Sequence, residues 1–409
     1  MPSKKLLAVF VAAFSLILGS LAIATPLFAA SSEKVLYNFC SANNCTDGSG
    51  PLSGLIFDKD GNLYGTTYNG GAGQSCEEGC GTVFELIPIN GKWTEKVLHS
   101  FYPNGGGNLP SASPILDSAG NLYGTTFLGG NSGAGVVFEL IRGNGKWTEK
   151  VLDTPGDSTA PLIFDPSGNL YGTSIDDPSF AFELIHDNGK WTEKVLHYFT
   201  GQHDGYFLYA PMIFDSAGNL YGTAYYGGIY GYGTVFELIP NNGKWTEKVL
   251  HSFNYDGKDG ASPYAGLILD SAGNLYGTTQ EGGTGTGCYR GCGIVFELIP
   301  GKNGARTRKI LHNFNLDGVD GEDPIGGLIF DKNGNLYGTT LYGGDYGVGT
   351  VYELTPGNGK WTEKVLHAFN GKDGADPSAG LVMDKAGHLY GTTAEGGTHM
   401  NGVVFEVTP

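Results

Sequence analysis

Apolar and polar positions along this chain alternate in short runs. Leu55-Ile56-Phe57 is apolar, and Asp58-Lys59-Asp60-Gly61 is polar and ends on glycine. Residues 62–67 are rich in β-formers. Residues 82–87 read Thr-Val-Phe-Glu-Leu-Ile, Asn90-Gly91 follows, and residues 93–101 read Trp-Thr-Glu-Lys-Val-Leu-His-Ser-Phe. The pattern predicts four strands, a to d, with two tight turns and one long b–c loop. No helical periodicity appears beyond residue 30.

The same text recurs seven times. The tyrosines of its Leu-Tyr-Gly core are Tyr64, Tyr123, Tyr171, Tyr221, Tyr276, Tyr337 and Tyr390, spaced by 59, 48, 50, 55, 61 and 53 residues. A period near fifty with several short strands per unit signals a β-propeller. The predicted fold is all-β: one seven-bladed propeller of four-stranded antiparallel blades over residues 31–409. The ends of the chain support ring closure. The last unit stops after Val403-Val404-Phe405-Glu406-Val407, which is strand c. Residues 33–39, Glu-Lys-Val-Leu-Tyr-Asn-Phe, match 95–101 and supply the missing strand d.

Both tight turns have a mechanism. In Asp-x-x-Gly the carboxylate bonds a backbone N–H two residues on, and the glycine takes the left-handed conformation that follows a type I turn. Asn-Gly suits a two-residue hairpin whose central residues both need positive φ. The abundant glycine (69 residues) recurs at fixed places, so it is turn chemistry rather than low complexity.

The repeats resemble the GloVer tandem repeat of bacterial exported proteins. The match rests on Gly-Leu-Ile-Phe-Asp-x-x-Gly-Asn-Leu-Tyr-Gly-Thr-Thr and Gly-Thr-Val-Phe-Glu-Leu, first met between Gly54 and Leu86 and again in each later unit. The resemblance implies an extracellular or surface-associated propeller. It carries no catalytic motif onto this chain. Anchored members continue into a C-terminal sorting tail, whereas this sequence stops at Pro409, so free secretion is the simpler expectation.

Residues 1–30 read differently. Lys4 and Lys5 precede an apolar run over 6–21, and small residues follow at Ala22, Ala24, Ala29 and Ala30. That is the layout of a signal peptide. The apolar run falls short of the roughly 20 residues of a membrane span. Loss of Lys4 and Lys5 takes the net charge from −17 to −19. An acidic exported protein is not expected to bind nucleic acid or an anionic membrane surface, and no membrane span is expected after cleavage. The expected product is a secreted or envelope-associated monomer.

The six cysteines form three close pairs: Cys40 with Cys45, Cys76 with Cys80, and Cys288 with Cys292. An even count in an exported chain favours disulfides. Zinc is the alternative for Cys-x3-Cys, but no histidine is near in sequence and the pairs sit in different repeats.

Repetition separates scaffold from candidate chemistry. The turn aspartates (Asp58 and its six equivalents) read as caps rather than a ring of metal ligands. His99, His197, His251, His312 and His367 share one place in strand d, where Asp153 and Tyr37 stand in the other two units. They read as packing or polar contacts. All five tryptophans hold another repeated position, which Arg306 takes in the fifth unit.

The b–c loops vary. From the Leu-Tyr-Gly tyrosine to the Val-Phe-Glu aromatic the count is 20, 15, 11, 15, 20, 15 and 15 residues, and the two longest loops carry Cys76–Cys80 and Cys288–Cys292. Strand order places these loops and the d–a loops on one face of the disc. Recognition usually resides in loops held on a rigid scaffold. The candidate ligand-binding residues are Tyr68, Phe127, Tyr225, Tyr226, Tyr230, Tyr232, Glu281, Tyr342, Asp345, Tyr346 and Glu395. Aromatic faces with carboxylates suit a glycan or a protein partner. The oxygen-rich turns Asp256-x-x-Asp259-Gly260 and Asp317-x-x-Asp320-Gly321-Glu322 are candidates for Ca²⁺, although Asp-Gly is also ordinary turn chemistry. Otherwise no cofactor or metal is expected.

Enzyme motifs are missing: there is no His-Glu-x-x-His, no Gly-x-Ser-x-Gly and no phosphate loop. Strand a begins with small or apolar residues in every unit, which offers little acid–base chemistry at the axis. The sequence favours an exported binding scaffold. A loop-face lyase or hydrolase, or a structural envelope protein, is the alternative.

Overall fold

The hairpins form as the turn chemistry requires. Asn90 and Gly91 both have positive φ, 51° and 77°, between Ile89 and Lys92, which pair across the c–d turn. In the a–b turn, Asp58 Oδ1 accepts the backbone N–H groups of Asp60 and Asn62, both at 2.9 Å. The computed structural model describes residues 31–409, except 74, 75, 77, 103–105 and 132. The expected signal peptide lies outside the described residues.

In blade 1 the strands are Ile56–Phe57 (a), Leu63–Thr67 (b), Thr82–Ile89 (c) and Lys92–Ser100 (d), paired in that order. Six more four-stranded antiparallel sheets repeat this arrangement, giving seven blades. The seventh holds both chain ends: Ser32–Asn38 pairs antiparallel with Val403–Thr408 as its strand d.

The repeated letters follow from packing. A Cβ on Gly65 would come within 2.6 Å of the Phe84 ring, so strand b needs glycine wherever strand c carries this aromatic. Tyr64 Oη donates to Glu85 Oε1 at 2.8 Å, which gives the buried carboxylate of Val-Phe-Glu-Leu a donor. Where a phenylalanine ends or follows strand d, its ring packs on the strand c aromatic of the next blade, in most cases edge-on. Phe39–Phe84 (5.0 Å), Phe101–Phe138 (5.2 Å) and Phe253–Phe296 (5.4 Å) are examples. Burying such a ring contributes about 1.5–3 kcal/mol, and a good aromatic pair roughly 0.5–1.5 more.

The tryptophans are inter-blade contacts. Trp93 packs on Tyr390 of blade 7, and Trp191, Trp245 and Trp361 pack likewise on Tyr123, Tyr171 and Tyr276. In blade 5, Arg306 lies 5.3 Å over Tyr221, so a cation–π contact replaces the indole.

The loop face carries pairing that the sequence did not announce. Six of the seven incoming d–a loops bridge to the b–c loop of the blade they enter, three of them through two-residue pairings: Gly107–Asn108 with Leu128–Gly129, Gly260–Ala261 with Glu281–Gly282, Gly321–Glu322 with Tyr342–Gly343. Single bridges do the same at Ser49/Asn69, Tyr206/Tyr226 and Ala375/Glu395. These bridges hold the variable loops against the sheets.

Candidate ligand site at the mouth of the central cavity

The inner strands crowd the axis through small residues and leave a central cavity of about 300 Å³. Ser53-Gly54, Ala210-Pro211, Ala265-Gly266 and Ala379-Gly380 line it, with apolar walls from Leu55, Leu267 and Leu328. Its described lining includes no Asp, Glu, His, Cys, Lys or Arg. Two large side chains stand in this lining, Tyr209 and Tyr264. Their rings stack with centroids 4.9 Å apart and planes inclined by 18°.

A larger aromatic group surrounds this pair. Tyr225 is edge-on to Tyr209 (5.5 Å) and to Tyr264 (6.0 Å), and Tyr226 is edge-on to Tyr225 at 4.5 Å. Tyr206 and Phe207 extend the cluster outward. Burial raises the phenol pKa of Tyr209, Tyr225 and Tyr264, so each keeps its proton and can donate it. Tyr225 Oη donates to Gln280 Oε1 at 2.9 Å, and Gln280 Nε2 donates to Asp323 Oδ2 at 3.1 Å. The chain Tyr225–Gln280–Asp323 therefore crosses from blade 4 to blade 6.

Beyond it the rim is acidic. Burial raises the Asp323 carboxyl, and burial with the nearby Asp323 charge raises Glu322. Asp376 is raised by burial and by Glu395. Burial raises Glu281 despite Arg290, whose Nη1 lies 3.2 Å from Glu281 Oε1. Tyr342 is raised by burial and then by the charges of Asp376, Asp323, Glu395 and Glu322. The face thus has an aromatic wall on blades 4 and 5 and a carboxylate rim on blades 5 to 7.

One backbone position sets this arrangement. In six of the seven incoming loops a residue takes its N–H to the preceding blade and its C=O to the residue after strand b of its own blade; in blade 3 the equivalent Asp157 N–H turns to Asp176 Oδ1 instead. Asp323 N donates to Cys292 O, and Leu341 N donates to Asp323 O. Phe207, Ser262, Asp323 and Asp376 occupy this place with φ of 55–59°. The residues accepted there include Tyr68, Phe127, Tyr225 and Gln280.

The sequence-selected residues fall into separate groups. Tyr225 and Tyr226 join the aromatic wall. Tyr232 packs 5.0 Å from Tyr255, which lies 5.4 Å under Arg290, so Glu281 and Tyr232 belong to one connected patch beside the Cys288–Cys292 loop. Tyr68 and Glu395 line a smaller hollow of about 240 Å³ between blades 7 and 1. Tyr230, Tyr342, Asp345 and Tyr346 are exposed, and Phe127 is half-buried. Tyr209, Tyr264, Gln280 and Asp323 are not among the sequence candidates, because adjacency to the axis is not visible in a single unit. The signal was present: Tyr209 and Tyr264 immediately precede the small-residue start of strand a.

The three disulfides form within their own loops, Cys40–Cys45, Cys76–Cys80 and Cys288–Cys292. In the calcium-candidate turns the carboxylates accept local donors. Asp256 Oδ1 accepts Lys258 N and Asp259 N, and Asp317 Oδ1 accepts Val319 N and Asp320 N. The turn face has a wider hollow of about 540 Å³ between blades 6 and 7. Its Asp331 and Asp384 carboxylates already cap their turns. No helix among the described residues is long and apolar enough to cross a membrane.

Comparison with known proteins fixes the family. The Gloeobacter/Verrucomicrobia repeat matches residues 24–182, 180–289 and 284–409, together nearly the whole chain. The chain belongs to the Gloeobacter/Verrucomicrobia repeat family. No curated protein sequence matches it. Among solved structures it is similar to the extracellular domain of a protein described as a hybrid two-component system from B. thetaiotaomicron. That match has a TM-score of 0.57 and 12% identity, and covers 91% of this chain but 39% of the other. A protein described as a 6-phosphogluconolactonase from Bacteroides uniformis matches with a TM-score of 0.53 and 12% identity, over 81% of this chain and 89% of that one. A similarly described protein from Bacteroides fragilis matches at 0.50 and 16% identity, over 78% and 85%. At these identities the likeness is one of fold.

Proposed function

We propose that this repeat protein is exported and acts as a binding scaffold whose ligand is a glycan seated at the mouth of the central cavity. The stacked Tyr209–Tyr264 pair in the cavity lining carries the reading. A sugar ring presents an apolar C–H face, which packs on aromatic rings, and hydroxyls at its edge, which donate to carboxylates. The aromatic wall and the Asp323–Asp376–Glu395 rim supply those two surfaces side by side. Pockets of this kind bind through apolar walls and a few placed polar groups. Three disulfides and the extracellular-domain neighbour support an extracellular location. The hydrolytic alternative draws on the lactonase-described neighbours. It finds no Asp, Glu, His, Cys, Lys or Arg in the described lining, whose two phenols are held protonated by burial.

The test is a glycan array probed with the protein, followed by calorimetry on retained sugars. Saturable binding that falls in Tyr264→Ala supports the reading. Capture of a protein ligand that is indifferent to Tyr264→Ala, with no glycan retained, would falsify it.

A further inference from the structure

The outer rim holds a second repeated constellation, at the blade junctions. A β-bulge in the c–d pairing of blade 6, between Val351 and Tyr352, places His367 opposite Val351 near the end of strand d. The strand d histidine then meets an aspartate from the following loop and position 95 or its equivalent from strand d of the next blade. His197, Asp204 and Glu247 meet this way, as do His312, Asp320 and Glu363.

The junctions settle this concentration of negative charge differently. Between blades 4 and 5 the glutamate is replaced by Arg308. Its Nη1 lies 3.0 Å from Asp259 Oδ1, while His251 Nε2 lies 3.0 Å from Oδ2. A cation is built into the chain there. Between blades 7 and 1, Tyr37 Oη donates to Asp47 Oδ2 at 2.7 Å. Between blades 1 and 2, Glu149 Oε1 accepts Gly107 N at 3.1 Å.

The junction of blades 6 and 7 has none of these devices. Glu33, His367 and Asp373 meet there with one donor atom from each within 4.8 Å of the others, the single such group among the described residues. His367 Nε2 lies 3.2 Å from Asp373 Oδ2. Glu33 Oε1 is shielded from solvent and lacks a hydrogen-bond partner, and His367 Nε2, also shielded, meets Asp373 as an ion pair without hydrogen-bond alignment. Asn370 donates to the Asp373 carboxylate through its backbone and side-chain amides, which orients that ligand from behind. Two ionised carboxylates brought together repel unless a cation or a shared proton lies between them.

We propose that Glu33, His367 and Asp373 bind a divalent transition-metal ion, zinc being the best match. Imidazole with two carboxylates is a zinc donor set, and it leaves a fourth position for water. Ligand atoms around a tetrahedral zinc stand about 3.4 Å apart, so the three donor atoms, now within 4.8 Å of one another, draw closer around the ion. Glu33 belongs to the N-terminal strand and His367 to blade 6. The ion therefore fastens the closing strand to the neighbouring blade as well as to its own.

The chelator-treated full chain is titrated with Zn²⁺ by calorimetry and by thermal melting. We expect one saturable site. At a hundredfold excess over Kd the melting temperature should rise by roughly 3 °C, reversibly with chelator. Glu33→Gln and His367→Asn should each weaken zinc binding at least tenfold, while Glu363→Gln at the neighbouring junction leaves it unchanged. Glu33→Arg copies the Arg308 junction and should melt, without metal, at or above the zinc-free parent temperature. Zinc binding that persists in Glu33→Gln and His367→Asn, or no saturable binding up to millimolar zinc, would overturn the assignment.

Discussion

Val35 stands directly opposite Phe405 across the seam where the first and last described strands share one sheet. Phe39, just past the seam, packs 5.0 Å from Phe84 of blade 1, so the closing strand joins two blades at once. Residues 32–38 also cover the otherwise unpaired edge of Val403–Thr408. Deleting residues 31–39 should leave that apolar edge open and cause aggregation or a large loss of stability. Size-exclusion chromatography and thermal melting check this. A truncated protein that stays monomeric with an unchanged melt would remove the seam from the stability argument.

Tyr352 occupies the place filled by phenylalanine in the other six blades, and its fully buried hydroxyl has no partner. A buried unsatisfied hydroxyl costs about 1–3 kcal/mol. Tyr352→Phe should therefore stabilise the protein by about 1 kcal/mol, seen as a higher urea midpoint at unchanged slope. A destabilised variant would show that the hydroxyl has a partner after all.

Stability should fall as pH rises from about 5 to 8. Burial and the Asp47 charge push Glu95 up to about 8, with Tyr37 also beside it. Burial and Asp204 push Glu247 up to about 7. Burial, Asp320 and Asp317 push Glu363 up to about 7, with His312 opposing. Each folded carboxyl thus holds a proton that the unfolded chain, with a value near 4.5, has released. Stability from these groups is complete below about pH 4.5 and is lost as pH rises through 7 to 8. Melting in chelator across this range reads the slope, which Glu95→Gln and Glu247→Gln should flatten. An increase in stability toward pH 8 would contradict the assignment.

Tyr209→Ala and Tyr264→Ala should each weaken the binding of the sugar at least tenfold. Asp323→Asn should weaken it while leaving the melt near that of the parent. Tyr232→Ala and Tyr346→Ala measure whether contact extends over the rim beside the Cys288–Cys292 loop. Asn90→Ala on the turn face should change affinity by less than about twofold. A reversed ranking in calorimetry would move the site to the other face.

The sequence by itself determined the blades. Period, turn residues and the split seventh unit are local or end-to-end patterns, and each has one cheap backbone solution: Asn90-Gly91 at positive φ, Asp58 over its own turn, residues 32–38 beside 403–408. It also showed that the loop face breaks the symmetry, because loop length and cysteine placement are countable. Tertiary structure alone decided which varied residues meet. Tyr209 and Tyr264 are 55 positions apart and stack because ring closure brings successive blades together at the axis. The junction histidines read as packing one unit at a time. Their meaning depends on the next blade, where Arg308 meets Asp259 but Glu33 meets Asp373. A repeat records what each blade does for itself; contacts between unlike neighbours exist only once the ring has closed.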